Sequence, residues 1–173
     1  HGDLPTHEET ARAVESICAR TRNWIEKGIP KEILTVDNHA DGVFIYLKLL
    51  REDSPAAPEA GKLLEQNGGA FKSSGVGIGC IDFLGNVHPD QFWMDQTLGN
   101  VRERPFSEIW RDETIPLLRE LRHRKDNLKG KCASCRYLNL CGGGLRVRAE
   151  TLTGDRWEAD PACYLPPSDT TIP

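Results

Sequence analysis

Apolar residues recur at helical spacing through Ala11, Val14, Ile17, Cys18 and Trp24, one face of a 3.6-residue period. Thr6-x-x-Glu9 precedes them as a capping box and Gly28 follows them, so the pattern predicts a helix from about residue 7 to residue 27. Glu32 to Val36 (EILTV) predicts a short buried strand, and 42–50 predicts a second helix. Helix, strand and helix in that order make an α/β unit. A proline-containing connector at 53–59 leads to a short helix at 60–66. The stretch 67–79 carries five glycines, among them Gly75, Gly77 and Gly79, and predicts a strand running close to another backbone or a ligand.

Beyond it, 76–82 and 86–88 flank Leu84 and Gly85 and predict a β-hairpin with Cys80 on its first strand. Two short helices follow at 105–110 and 114–124, the second with Leu117, Leu118 and Leu121 on its inner face. The charged run Arg122 to Asp126 (RHRKD) is expected to be a solvated helix end. Residues 166–173 are expected to be an untethered tail. Cys18 sits on the first helix's apolar stripe, where a small buried hydrophobe is the expectation. Asp37 and Asp41 are expected to cap the second helix.

Four of the six cysteines change this picture. Cys132, Cys135 and Cys141 fall within ten residues, and Cys163 returns after a polar stretch. Four thiolates from one short and one distant loop are what a tetrahedral metal ion or a cubane iron-sulfur cluster requires. A structural zinc site usually pairs two knuckles, whereas here one CxxC is followed by two single cysteines, which favours the wider cubane. Gly142, Gly143 and Gly144 would let backbone N–H groups approach its sulfur. A structural zinc and a pair of disulfides are the alternatives. The polar, acidic stretch from His1 to Thr10 does not resemble a signal peptide, so an intracellular, reducing, cytoplasmic setting is expected and disulfides are disfavoured.

The chain has 173 residues and is 38% hydrophobic, enough for one domain or two small ones. A net charge of -4 and a pI near 5.8 give no footprint for nucleic acid. No apolar run reaches the roughly 18 residues of a membrane span.

Together, LTVDNHADG, GVGIGCIDFLGNVHPDQFW, LGNVRERPFSEIW and CASCRYLNLCGGGLRVRAETLTGDRWEADPACYL closely resemble the C-terminal half of the NirJ family, the radical S-adenosylmethionine enzymes of haem d1 biosynthesis. More broadly they resemble SPASM or twitch extensions. The resemblance implies an α/β fold in which residues 1–70 are the closing β/α units of a partial (β/α)6 barrel. Residues 71–173 would be a small α+β SPASM/twitch domain with a β-hairpin and cysteine-rich cluster loops. It implies an auxiliary 4Fe-4S cluster on Cys132, Cys135, Cys141 and Cys163, and an iron tetrapyrrole substrate, didecarboxysirohaem, whose propionate side chains are removed. S-adenosylmethionine and a second 4Fe-4S cluster would belong to an N-terminal portion in the same or another chain, because CxxxCxxC is absent here. An electron donor protein completes the partners; neither nucleic acid nor membrane is among them.

A tetrapyrrole with several carboxylates needs cationic contacts, and arginine binds carboxylate through two parallel bonds. Arg146 and Arg148, beside the cluster loop, are the candidates, with pairing to Glu150 or Asp155 as the alternative. His39 is a further candidate binding residue, able to donate or accept a proton near neutral pH, and a plain loop histidine is its alternative. Related enzymes of ordinary haem synthesis, a stand-alone electron-transfer module and a zinc-stabilised binding module are the competing functions.

Overall fold

The capping box forms as its spacing predicts. In the computed structural model, which describes residues 4–170, Thr6 Oγ1 accepts from the Glu9 N–H at 3.2 Å and Glu9 Oε2 accepts from the Thr6 N–H at 2.8 Å. Two otherwise orphaned donors are thereby satisfied, and α1 runs His7–Glu26. Its apolar stripe packs on α2 (Ala40–Arg51), where Val14, Ala40, Val43 and Leu47 are buried together with Tyr164 and Leu165. Cys18 lies at the edge of that core as a packed side chain. Helix α3 (Ala57–Asn67) ends at Gly68 in the left-handed conformation, φ 72°, which glycine adopts without a Cβ clash.

Between α1 and α2 the expected strand at 32–36 does not form. Its backbone is irregular, and Leu34 and Val36 are 75% and 72% exposed. A strand exists only through a neighbour that accepts its hydrogen bonds, and among the described residues no segment pairs with this one. Asp37 and Asp41 do not cap α2 either. The N-cap position is His39, without a side-chain cap bond, and Asp41 is buried and accepts from Tyr164 Oη at 2.9 Å.

A 3-10 turn at Gly69–Lys72 leads into a three-stranded antiparallel sheet of β1 (Cys80–Ile81), β2 (Asn86–His88) and β3 (Gly99–Asn100). The predicted hairpin is β1 with β2, in the register Cys80 to His88 and Ile81 to Val87. The third strand carries no sequence pattern of its own. The glycine-rich stretch is a turn rather than a strand, and Ser74 and Ile78 form an isolated bridge across it. Helices α4 (Phe106–Arg111) and α5 (Pro116–Arg122) cover the sheet, burying Val87, Leu98, Ile109 and Leu118 in a second core.

The RHRKD run is not solvated throughout, for Arg124 is 1% exposed. Its Nη2 donates to Ser74 O at 3.1 Å, and burial brings its pKa down to about 10. The cysteine-rich segment forms α6 (Gly130–Ala133) and α7 (Leu138–Cys141), then α8 (Arg146–Thr153). The tail is tethered as far as it is described. Helix α9 (Pro167–Thr170) buries Thr170, whose carbonyl accepts from the Arg136 N–H at 2.9 Å, while Asp169 pairs with Arg51. Packing is continuous across residue 70, because α1 and α2 share their core with Tyr164 and Leu165. No helix is long and apolar enough to cross a membrane among the described residues.

Candidate metal centre

Cys132 lies on α6 and is buried; Cys135 follows in the turn closed by its N–H bond to Cys132 O at 3.3 Å. Cys141 is the last residue of α7, which Gly142 caps by donating to Leu138 O at 2.7 Å. Cys163 comes from the other end of the segment, in a turn where its N–H donates to Asp160 O at 3.0 Å. Lys131 Nζ reaches Cys163 O at 2.5 Å and ties the two loops together.

Cys141 Sγ accepts from the Gly143 N–H at 3.3 Å, and the backbone N–H groups of Asp160 and Tyr137 favour the thiolates of Cys132 and Cys135. The four thiols lie within electrostatic reach of one another, since charge on Cys132, Cys135 or Cys163 disfavours the Cys141 thiolate. Burial is the larger effect. It pushes the Cys132 and Cys135 thiols up and the Cys141 thiol up to about 12. These three are therefore neutral thiols at pH 7 without a cation, and only a positive centre among them stabilises the thiolates. Among the described residues no three His, Cys, Asp or Glu side chains form a grip for a single metal ion. Four thiols in mutual reach, with backbone N–H groups that favour three of the thiolates, fit an iron-sulfur cluster.

The glycines after Cys141 divide the work. Gly143 supplies the N–H to sulfur. Gly142 lies backbone to backbone on the 3-10 turn, where a Cβ would stand 2.4 Å from Phe71 N, and a Cβ on Gly144 would stand 2.1 Å from Asp160 Oδ2.

Asp160 is the residue that sequence reasoning missed. It is 3% exposed; its carboxylate accepts from the N–H groups of Leu145 at 2.8 Å and Ala162 at 3.0 Å, and from Arg148 Nε and Nη2 at 2.8 and 2.7 Å. Burial alone would raise its pKa, but these partners hold it below the usual carboxylate value. The signal was the Asp160-Pro161 pair three residues before Cys163, since Asp before Pro favours a turn closed by its own side chain.

The three candidate binding residues part company. Arg148 lines an apolar cleft of about 370 Å3 with Phe92, Leu145, Val147 and Leu152. Its fork is taken by Asp160, and its Nη1 donates to Asp37 O at 3.1 Å. His39 lines the adjoining hollows on either side of Asp37, one with Leu140 and Gly69, the other with Ser74 and Asp90. Burial lowers its pKa, and the Arg124 and Arg148 charges lower it further against Asp160 and Asp37, so it is neutral at pH 7. Arg146 is fully buried and faces the loop behind Cys141, away from the cleft. Neither arginine takes Asp155 or Glu150, which pair with Lys129 and Arg156. Cys80 is half-buried on β1, opposite His88 in the sheet register.

Residues 75–136 match the family model of SPASM, an iron-sulfur cluster-binding domain. The small antiparallel sheet with its helices agrees with that match. Fe-coproporphyrin III synthase of Methanosarcina barkeri is 52% identical over 161 residues, 91% of this chain and 40% of that protein. Pre-heme d1 synthase of Dinoroseobacter shibae is 44% identical over 172 residues, 98% of this chain and 42% of that protein. The chain is homologous to haem-pathway synthases. Among these relatives is AdoMet-dependent heme synthase of M. barkeri, 40% identical over 93 residues, 54% of this chain and 25% of that protein. The chain thus spans about two-fifths of the length of the first two relatives. No solved structure matches it.

Proposed function

We propose that this chain is the C-terminal, cluster-bearing part of a radical S-adenosylmethionine enzyme of haem d1 biosynthesis, acting on the propionate side chains of didecarboxysirohaem. The observation that carries the reading is the cysteine loop itself, where backbone N–H groups favour three thiolates, Cys141 by a direct bond from Gly143, and those three feel the charge of the fourth. Cys132, Cys135, Cys141 and Cys163 would hold a 4Fe-4S cluster, which when bound supplies one-electron transfer. The chain's own part is to orient those thiols, shield them within the second half of the fold, and present the apolar cleft with Arg148 on its wall and His39 in the adjoining hollows.

In this reading residues 1–70 close a partial (β/α)6 barrel and residues 71–173 form the auxiliary domain, a division supported by the family match that begins at residue 75. S-adenosylmethionine and the first cluster sit in the remaining portion, an electron donor protein serves the pair, and the setting is the reducing cytoplasm. The synthesis of ordinary haem is the second reading, favoured by the 52% identity to Fe-coproporphyrin III synthase against 44% to pre-heme d1 synthase.

The test has two stages. Anaerobic reconstitution with iron and sulfide is expected to give close to four of each per chain and a reduced-state paramagnetic signal, both lost in Cys135→Ser. Stoichiometric zinc without sulfide would remove the cluster from the reading. The chain, joined to the portion that carries CxxxCxxC, is then given didecarboxysirohaem, S-adenosylmethionine and a reductant, and the product is weighed by mass spectrometry. Loss of propionate side chains supports haem d1, and iron coproporphyrin III supports the haem route.

A further inference from the structure

Arg146 is a fully buried charged group near the cysteines, and its surroundings do not account for it. It opens α8 with 0% exposure. Nη1 donates to Arg156 O and to Glu158 O, both at 2.8 Å, and Nη2 donates to Gly143 O. The Nε–H is buried without a partner. Among the described residues the guanidinium makes no salt bridge, and the nearby Asp160 carboxylate is already forked by Arg148. An unpaired buried donor costs about 1–3 kcal/mol, and a buried charge is retained only where something answers it.

Two of the cysteines lie within reach of its charge. Gly143 donates its N–H to Cys141 Sγ and accepts from Arg146 with its carbonyl, so one residue bridges the two side chains. Negative charge on Cys132 or Cys141 favours the charged guanidinium. Four thiolates on a cubane core leave a net negative centre, and a fixed cation with a free N–H beside it satisfies both needs at once.

We propose that Arg146 is a positioning residue of the cluster, its Nε–H donating to a cluster or thiolate sulfur and its charge offsetting that of the thiolates. The three carbonyls serve to hold the guanidinium plane still while the fourth direction meets the cluster. Because the proposal rests on the cluster reading above, its test separates the two. Hydrogen bonds to sulfur and nearby positive charge make a cluster easier to reduce, so Arg146→Gln is expected to move the midpoint potential in the negative direction.

The deciding experiment uses the protein with its native side chain. The chain is labelled with [15N]arginine, reconstituted anaerobically, counted for iron and sulfide, reduced, and studied by pulsed electron paramagnetic resonance. A 15N coupling with an exchangeable proton is expected, kept in Arg136→Lys and in Arg148→Lys and lost in Arg146→Lys. A four-iron cluster without 15N coupling, or one whose coupling disappears with Arg148 or Arg136 instead, overturns the proposal and leaves the cluster standing. Failure of the unlabelled wild type to bind iron and sulfide overturns the cluster reading itself. Should Arg146→Lys not assemble a cluster, retention of the coupling in Arg136→Lys, Arg148→Lys and Arg124→Lys, the last replacing the other buried arginine with an unpartnered donor among the described residues, assigns it, and its loss in any of the three overturns the proposal.

Discussion

Two aspartates show how a single carboxylate shapes local structure here. Asp160 joins the start of α8, the Cys163 turn and Arg148, and its own N–H favours the Cys132 thiolate. Asp82 does the same for the hairpin. It accepts from the N–H groups of Leu84 and Asn86 at 2.9 and 2.8 Å and from Asn86 Nδ2 at 2.9 Å, and it faces buried His88 Nε2 at 3.3 Å. Partial burial would raise the Asp82 pKa, but those bonds hold it at about 2. A carboxyl whose folded pKa lies below its unfolded value of about 3.9 stabilises the fold fully above that value. That contribution disappears as pH falls toward 2. Urea midpoints measured from pH 5 to pH 2 are therefore expected to drop more steeply for the wild type than for Asp82→Asn; parallel curves would show that the hairpin does not draw on this carboxylate.

Elements defined by local chemistry formed where their residues announced them. A capping box, an apolar stripe and a following glycine specify α1 within its own twenty residues. The segments that departed from expectation depend on distant chain. EILTV has the composition of a strand but no neighbour to pair with, and RHRKD has the charge of a solvated end but places Arg124 beneath Ser74. The backbone contact between the 3-10 turn and the end of α7 is of the same kind: the left-handed cap at Gly142 is local, but its approach to Phe71 N depends on a segment distant in sequence. With φ at 68° and Phe71 N in the way, Gly142→Ala is expected to destabilise by about 1–3 kcal/mol, of the order that backbone strain and overpacking produce. Chemical denaturation checks the magnitude, and iron retention after reconstitution checks whether the cysteine loop shifts. An unchanged midpoint would mean that the two segments separate freely.

The molecule is held together by contacts between its first and last thirds. Tyr164 reaches 123 residues back to Asp41 and lies in one core with Val14, Val43 and Leu47. Burial raises the Tyr164 pKa, and Asp41 raises it further, so the phenol remains a donor across the working pH range. Tyr164→Phe preserves the packing but leaves a buried carboxylate without this donor, at an expected cost of about 1–3 kcal/mol. Calorimetry reads that loss as a lower Tm, and because Cys163 is the neighbouring residue, cluster retention on gel filtration is expected to fall with it. Equal Tm values for variant and wild type would place the link between the two thirds elsewhere.

Local chemistry alone specifies α1 through its cap and stripe, the hairpin through the turn at Leu84 and Gly85, and the grouping of four cysteines through their spacing. Long-range packing leaves 32–36 unpaired, adds β3 to the sheet, puts Arg148 on the cleft and Arg146 behind Cys141, and sets Asp160 between the cysteine loops. The reason is physical. Caps, turns and helical periodicity are satisfied within a few residues, whereas strand pairing, burial of charge and backbone contact depend on groups that only the folded chain brings near.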